Sequence, residues 1–552
     1  MDRTLPATSH HDTAVPIGRR AASASTTATA TVADAKHNAK EKGIMPSPTS
    51  VVANRGEHHR VAPLKLSEQP SQLHNHNHHS HQQHQQHHRS QATNHNYYYT
   101  QQQVFQGLHS QQHGSQAQET GWECPASEKS KRTINPVRPI IDSILKDIKM
   151  GYQRADGKDP ISLAQCDPAA SSALKPCNAA LDAVARALRE RHHSASYLNA
   201  SGSPEARVAV AHHHSYHEHI IGADNIVIAN GCSGALQLAL DTLLDPGTTV
   251  LVPHPGFPLY QMIAESNGAK VIEYHLLQDR NWECDMDHLE SIMASSTNVR
   301  AIIINNPSNP TGAVFSEYHL KQIVSFAAKH HLPIVSDEIY GEITFAPHKF
   351  HPMALVAAKM GRQVPVITAS GISKQFLVPG WRVGWLAFHD NNYNSLQGIQ
   401  DGVKRLAQIQ LGASHLAQAA VPVLLSLATP GVAEWKKNVK ETLEQQAIFF
   451  CDIISRCDGL EVIPPQGAMY VIVKVDCRQL GLSDDTEFAR RLLEEENVFV
   501  LPGSAFGVPN VFRAVISSPG SVLETASLRI HDFCQRCCEQ TERKRKKPRS
   551  AK

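Results

Sequence analysis

No stretch of this 552-residue chain is apolar for long enough to cross a bilayer, and the amino terminus has no apolar core of the kind a secretory leader needs. Charge of one sign is missing too. The 53 Lys and Arg are set against 51 Asp and Glu, a net +2, so neither nucleic acid nor a membrane surface is expected as a partner. Eleven cysteines are present but lack regular spacing, which points to reduced intracellular thiols rather than a disulfide framework. The opening "MDRTLPATSHHDTAVPIGRR" is rich in Ser, Thr and Ala, yet Asp2 and Asp12 break the acid-poor pattern of a mitochondrial leader. A cytoplasmic protein is expected, with mitochondrial import as the alternative.

The apolar share of 41% and charged share of 19% suit a globular protein with a buried core, and the length allows two domains with tails. Residues 1–125 are expected to be a disordered His/Gln-rich tail. A tract such as "HNHNHHSHQQHQQHHRSQ" cannot bury enough apolar surface to offset its chain entropy. It also lacks the fixed ligand spacing of a metal centre, so no metal is expected. Order is expected from "KRTINPVRPIIDSILKDI" onward. From Ile226 to about Ala387, β-branched runs ("NIVIAN", "TTVLVP", "VRAIIINNP", "LPIVSDE", "VPVITAS") alternate with amphipathic stretches such as "EYHLKQIVSFAAKHH". That alternation predicts an α/β fold with a mainly parallel sheet flanked by helices. A long helical stretch over 395–457 and a smaller α/β domain follow. A basic tail, 541–552, is expected to be solvated.

In such sheets ligands gather at the carboxyl ends of the strands, and the polar motifs of this chain stand at those ends. In "GISKQFLVPGWRVGW", Lys374 and Arg382 are the only charges. A lysine amine held unprotonated can condense with an aldehyde, and small neighbours leave room for a bulky group. Arg382, eight residues on, offers a fixed fork for a phosphate. In "VSDEIYGE", Asp337 ends a strand, with Tyr340 about one turn away. An acid at a buried strand end needs a cationic or hydrogen-bonding partner, and a protonated ring nitrogen is one; a helix cap is the alternative. In "NNPSNPTG", Asn309 can donate to a phenolate oxygen or serve a local turn. "NGCSGALQLAL" is a strand-to-helix turn whose Cys232, Ser233 and Gly234 N–H groups suit an anion. In "HPGFPLY", Phe257 can stack on a flat ring or fill the core. Together these groups describe an aldehyde, a phosphate, a phenolate and a ring nitrogen, which is pyridoxal 5′-phosphate.

From about Ser130 to Cys538 the chain resembles the class I aminotransferases, fold type I pyridoxal-phosphate enzymes, on "NPVRPIID", "LVPHPGFPLY", "NNPSNPTG", "SDEIYG", "LVPGWRVGW" and "GAMY". The resemblance implies a seven-stranded-type sheet and a smaller domain built from both ends of the ordered chain. Its divisions would be an N-terminal segment with a dimer contact over 130–200, a large cofactor-binding domain over 201–395, and an interdomain helix with the small domain over 396–540. It gives Lys374 as the amine that carries the cofactor, Asp337 on the pyridine nitrogen, and Asn309 with Tyr340 on the ring hydroxyl. Phe257 becomes the stacking aromatic, and Arg382 with Cys232, Ser233 and Gly234 the phosphate cup. Tyr197 would reach the phosphate of a partner subunit, which implies a homodimer. Arg513 would grip the substrate α-carboxylate.

The resemblance also implies transamination of an aromatic L-amino acid, tyrosine first, with 2-oxoglutarate. Another amino-acid specificity and β-elimination from cysteine conjugates remain as alternatives on the same scaffold, and a non-catalytic binding scaffold as one of another class. Three departures bear on substrate preference: Cys166 where the family has Gly, "ASYLNASG" around Tyr197, and Gln375–Phe376 after the lysine.

Overall fold

The computed structural model describes residues 125–147, 157–170, 174–190, 195–217, 219–361, 364–390 and 394–546. The His/Gln-rich tract and residues 547–552 lie outside them, as does the expectation of disorder made for that tract.

Among the described residues, fourteen strands form three sheets. In chain order they are β1 (Ile161–Ser162), β2 (Ile226–Asn230), β3 (Thr249–His254), β4 (Lys270–Leu277), β5 (Glu283–Cys284), β6 (Val299–Asn305), β7 (Ile334–Asp337), β8 (Val366–Gly371), β9 (Val383–His389), β10 (Leu460–Ile463), β11 (Tyr470–Val475), β12 (Val498–Phe499), β13 (Leu501–Pro502) and β14 (Val511–Val515). The large sheet runs β2-β9-β8-β7-β6-β3-β4-β5. The inner pairs β8–β7, β7–β6, β6–β3 and β3–β4 are parallel, whereas β9 runs antiparallel to both of its neighbours. The fold is α/β with a large, mainly parallel sheet, as expected. It counts eight strands rather than seven because two-residue β5 folds back on the edge of β4.

The side-chain period of two explains why the parallel strands are apolar throughout. Val250, Val252, Ile303, Val335 and Ile367 pack into one core layer. Their neighbours Leu251, Ile302, Ile304, Ile334 and Val366 pack into the layer on the other face. Each fully buried Ile or Leu contributes about 1.5–3 kcal/mol over exposure. Helices make the crossovers that parallel strands require. Leu259–Ser266 joins β3 to β4, and Glu317–His330 joins β6 to β7 after a Ser316 cap whose Oγ accepts from the His319 N–H at 3.1 Å. The parallel direction brings the carboxyl ends of β6, β7 and β8 side by side, with Asn305 opposite Asp337 and Asp337 opposite Ala369.

A four-stranded antiparallel sheet, β10-β11-β14-β13, follows, and β1 pairs in parallel with β12, so an early strand is tied to a late one. The helical stretch expected over 395–457 is four helices, Gln397–Gln410, His415–Gln418, Val421–Leu425 and Val432–Ile454. Left-handed Leu411 and Gly412 end the first of them, and left-handed Gly431 precedes the last. The final helix, Gly520–Lys546, runs into the expected basic tail, where an Arg545 Nη donates to the Arg478 carbonyl at 3.3 Å. No helix among the described residues is long and apolar enough to cross a membrane.

Candidate active site

Asp337 is the last residue of β7 and is only 3% exposed. One carboxylate oxygen accepts from the Tyr260 phenol at 2.7 Å; the other accepts from the Ile339 N–H at 3.2 Å and from the Cys232 thiol at 3.6 Å. Burial pushes this carboxyl above its ordinary value, while the Tyr260, Ile339 and Cys232 hydrogen bonds hold it down. The helix that the capping alternative required does not follow: Asp337 leads into a turn to which the Ile339 contact is local, and the acid has no cationic partner among the described residues.

Cys232 lies in the first turn of the helix Gly231–Leu243. The residue before that helix, Asn230, provides no side-chain cap, so its leading N–H groups are left to other acceptors. Burial, and after it the Asp337 charge, pushes the Cys232 thiol well above its usual range, which keeps it a donor. Arg382, itself left-handed, lays its guanidinium over the same turn and donates to the Pro379 carbonyl at 2.9 Å and the Asn230 carbonyl at 3.3 Å. A Cβ at Gly231, whose φ is +72°, would collide with that guanidinium, so the close approach requires glycine. Ser233 is exposed beside it. Arg382, Cys232, Ser233 and Gly234 thus meet at one helix N-terminus, a place suited to a phosphate.

Lys374 follows β8 by three residues and is half-buried, its Nζ donating to the Cys166 carbonyl at 2.8 Å. Beside it, the buried Ser373 hydroxyl has no partner. The Cys166 thiol lies 3.6 Å from the Met469 sulfur. The next residue, Tyr470, places its phenol oxygen 2.5 Å from that of Tyr340. Burial raises both phenols, which stay protonated.

Arg513, central in β14, is 6% exposed. Its two Nη groups donate to Asn309 Oδ1 at 2.9 Å and to the Ala164 carbonyl at 2.6 Å, and its Cζ lies 4.3 Å from the Tyr470 ring centre and 5.0 Å from that of Phe506. No carboxylate pairs with this guanidinium among the described residues, and its buried Nε has no partner. A buried cation in that state is a ready receptor for an anionic substrate group. Arg513 occupies the amide oxygen of Asn309, so Nδ2 is the group left to donate. The Asn309 N–H is pinned by Asn305 Oδ1 at 2.7 Å.

The half-buried Phe257 meets Tyr260 edge to face, ring centres 5.8 Å apart. Contacts therefore link Lys374, Cys166, Tyr340, Arg513 and Asn309 in one group, and Phe257, Asp337, Cys232 and Arg382 in another, with Asp337 and Tyr340 three residues apart. Tyr197 is not brought in: it is 89% exposed. Sequence reading passed over Tyr260, Tyr470 and Asn305, and took Ser373 only as a small neighbour of Lys374. Tyr260 and Tyr470 end motifs that were themselves conspicuous, "HPGFPLY" and "GAMY".

The residues fit pyridoxal 5′-phosphate. An amine, an anion cradle that excludes a Cβ, a buried acid without a cation, a phenol and an amide donor are all present, and two buried polar atoms, Ser373 Oγ and Arg513 Nε, lack partners.

The family model "Aminotransferase class I and II" matches residues 158–527. The chain is 37% identical over 416 residues to a tyrosine aminotransferase of Dictyostelium discoideum, covering 75% of this chain and 97% of that protein. It is 36% identical over 425 residues to a tyrosine aminotransferase of Bos taurus, covering 76% and 92%. Among solved structures, a tyrosine aminotransferase from Leishmania infantum superposes with a TM-score of 0.68 at 30% identity, covering 75% of this chain and 99% of that one.

Proposed function

This chain belongs to the class I and II aminotransferases, and we propose that within that family it transaminates an aromatic L-amino acid, tyrosine first. 2-Oxoglutarate takes the amino group, giving 4-hydroxyphenylpyruvate and glutamate. The supporting observation is Arg513: a buried guanidinium with no carboxylate partner among the described residues, one hydrogen bond from Asn309 and stacked on Tyr470, suits an α-carboxylate shared by amino acid and oxo acid.

Pyridoxal 5′-phosphate, when bound, supplies an aldehyde carbon for the amino group and a ring that takes up the electrons left behind by the departing α-proton. Lys374 would carry it. Arg382 with the Cys232–Ser233–Gly234 turn would hold the phosphate, and the Phe257 ring would pack against the pyridine. The Asp337 carboxylate would hold a proton at the ring nitrogen. Tyr340 O–H and Asn309 Nδ2–H would donate to the ring oxygen. Once the substrate amino group had displaced it from the cofactor, Lys374 Nζ would take the proton from the substrate α-carbon as general base and deliver it, as general acid, to the former aldehyde carbon. Arg513 fixes the carboxylate so that the α-hydrogen faces that amine.

Cys166 sits beside Lys374 and Met469, where it bounds the substrate side of the site and tunes preference among amino acids. Exposed Tyr197 suits a role at the cofactor phosphate of a second copy, in a homodimer. The ten free thiols among the described residues support a reducing compartment such as the cytoplasm. The test is a rate comparison across tyrosine, phenylalanine, alanine, aspartate and glutamate, each with a suitable oxo acid. Tyrosine is expected to lead in kcat/KM; an enzyme that prefers alanine or aspartate, or releases pyruvate and ammonia from cysteine conjugates, contradicts the proposal.

A further inference from the structure

The two phenols of Tyr340 and Tyr470 share one hydrogen bond, 2.5 Å long, and either can be its donor. The direction matters. If Tyr340 gives its only proton to Tyr470, it has none to give elsewhere. If Tyr470 donates, the Tyr340 proton is free to point away from the pair. Two features favour the second arrangement. The Arg513 guanidinium lies on the face of Tyr470, Cζ 4.3 Å from the ring centre, and a cation there draws electron density from the ring and makes its O–H the better donor. Tyr470 is also held firmly. It opens β11 opposite Val515, and the neighbouring Met469 carbonyl accepts from the Ile516 N–H at 3.1 Å. The two rings meet edge to face, 5.6 Å apart.

We propose that Tyr470 is a positioning residue with two separable parts. Its hydroxyl donates to Tyr340 and so aims the Tyr340 proton at the cofactor ring oxygen. Its ring face holds the Arg513 guanidinium in the plane that meets the substrate carboxylate. This rests on the reading of the site as one for pyridoxal 5′-phosphate.

The test separates the parts. The pH midpoint of the cofactor absorbance is measured on loaded enzyme without substrate, and KM for tyrosine is measured alongside. A hydrogen bond to an anionic oxygen favours the state in which that oxygen carries most charge, so weaker donation from Tyr340 moves the midpoint up. Tyr470→Phe keeps the ring and removes the hydroxyl. The midpoint should rise by roughly half a unit to one unit while KM stays within about twofold. Tyr470→Leu removes both and should also raise KM by about fivefold or more. 3-Fluorotyrosine at position 470 is a second, nearly isosteric probe should the Phe variant not fold; its more acidic phenol should move the midpoint down.

Midpoints unmoved by both Phe and fluorotyrosine overturn the role of the hydroxyl, and a KM that rises as much in the Phe variant as in the Leu variant overturns the role of the ring face. In either case a wild-type enzyme that titrates normally leaves the cofactor reading standing. A wild-type enzyme that binds no cofactor overturns that reading, and the role of Tyr470 with it.

Discussion

The phenol of Tyr260 donates to the Asp337 carboxylate at 2.7 Å, inside a site where burial alone would push that acid toward its neutral form. Tyr260 therefore helps keep Asp337 ionised and able to hold a proton at a ring nitrogen. Removing the hydroxyl lets the Asp337 carboxyl rise further, so Tyr260→Phe should shift the acid limb of the pH–rate profile upward by about one unit. An unmoved acid limb would show that the other two hydrogen bonds on Asp337 suffice.

Asp337→Asn keeps the shape and loses the charge. Cofactor should still bind, but single-turnover transamination should slow by roughly a hundredfold or more, since a neutral amide does not stabilise the ring proton. Near-normal single-turnover rates would remove Asp337 from the chemistry.

Arg513→Lys retains a positive charge but gives up the fork that meets Asn309 and Ala164. KM should rise for both amino acid and oxo acid, and kcat/KM should fall by at least about tenfold, with cofactor affinity little changed. Unchanged KM values would rule out Arg513 as the carboxylate clamp.

Cys166 touches Lys374 through its backbone and Met469 through its thiol. Cys166→Gly keeps the carbonyl that Lys374 uses and removes the side chain with its thiol. The cofactor spectrum should stay as it is while the ranking of amino-acid substrates changes. A spectrum that shifts with an unaltered ranking would assign the thiol to the cofactor instead.

Glu338 is a buried acid outside the proposed chemistry. Burial first of all pushes its carboxyl up to about 7, against hydrogen bonds from the Met353 N–H and Ser336 Oγ. Its folded value lies above the unfolded one, so the folded state binds more protons between about pH 4.5 and 7, and stability falls as pH rises through that window. Glu338→Gln removes this slope. In urea melts the variant should gain on wild type from pH 4.5 to 7, by up to about 3 kcal/mol. A pH-independent difference would contradict the shift.

Most of the site was legible because its residues stand at strand ends in short polar motifs flanked by apolar runs. Lys374, Asp337, Asn309 and Arg382 each interrupt such a run, and burying a polar group needs a reason. What was missed depends on distant contacts: Tyr470 meets Tyr340 across 130 positions, and Cys166 meets Lys374 across 208. Four strands also escaped notice, the two-residue β1 and β5 among them. In β4, "KVIEYHLL", charged and polar residues interleave with apolar ones because several of its side chains stay accessible near the sheet edge. In β9, "VGWLAFH", the chain turns back antiparallel after only the short 3-10 turn Pro379–Trp381, so no α-helix separates it from β8 as the alternating pattern would require. The smaller α/β domain was expected after the helical stretch, but the pairing of its sheet depends on contacts between β11 and β14 that no local pattern reveals.

The central claim is that Lys374 carries pyridoxal 5′-phosphate. Reducing the loaded enzyme with borohydride and mapping its peptides tests this directly. The account predicts one modified peptide, bearing the cofactor on Lys374, and its loss together with the yellow colour in Lys374→Ala. A cofactor found on another lysine, or none retained after reduction, would contradict it.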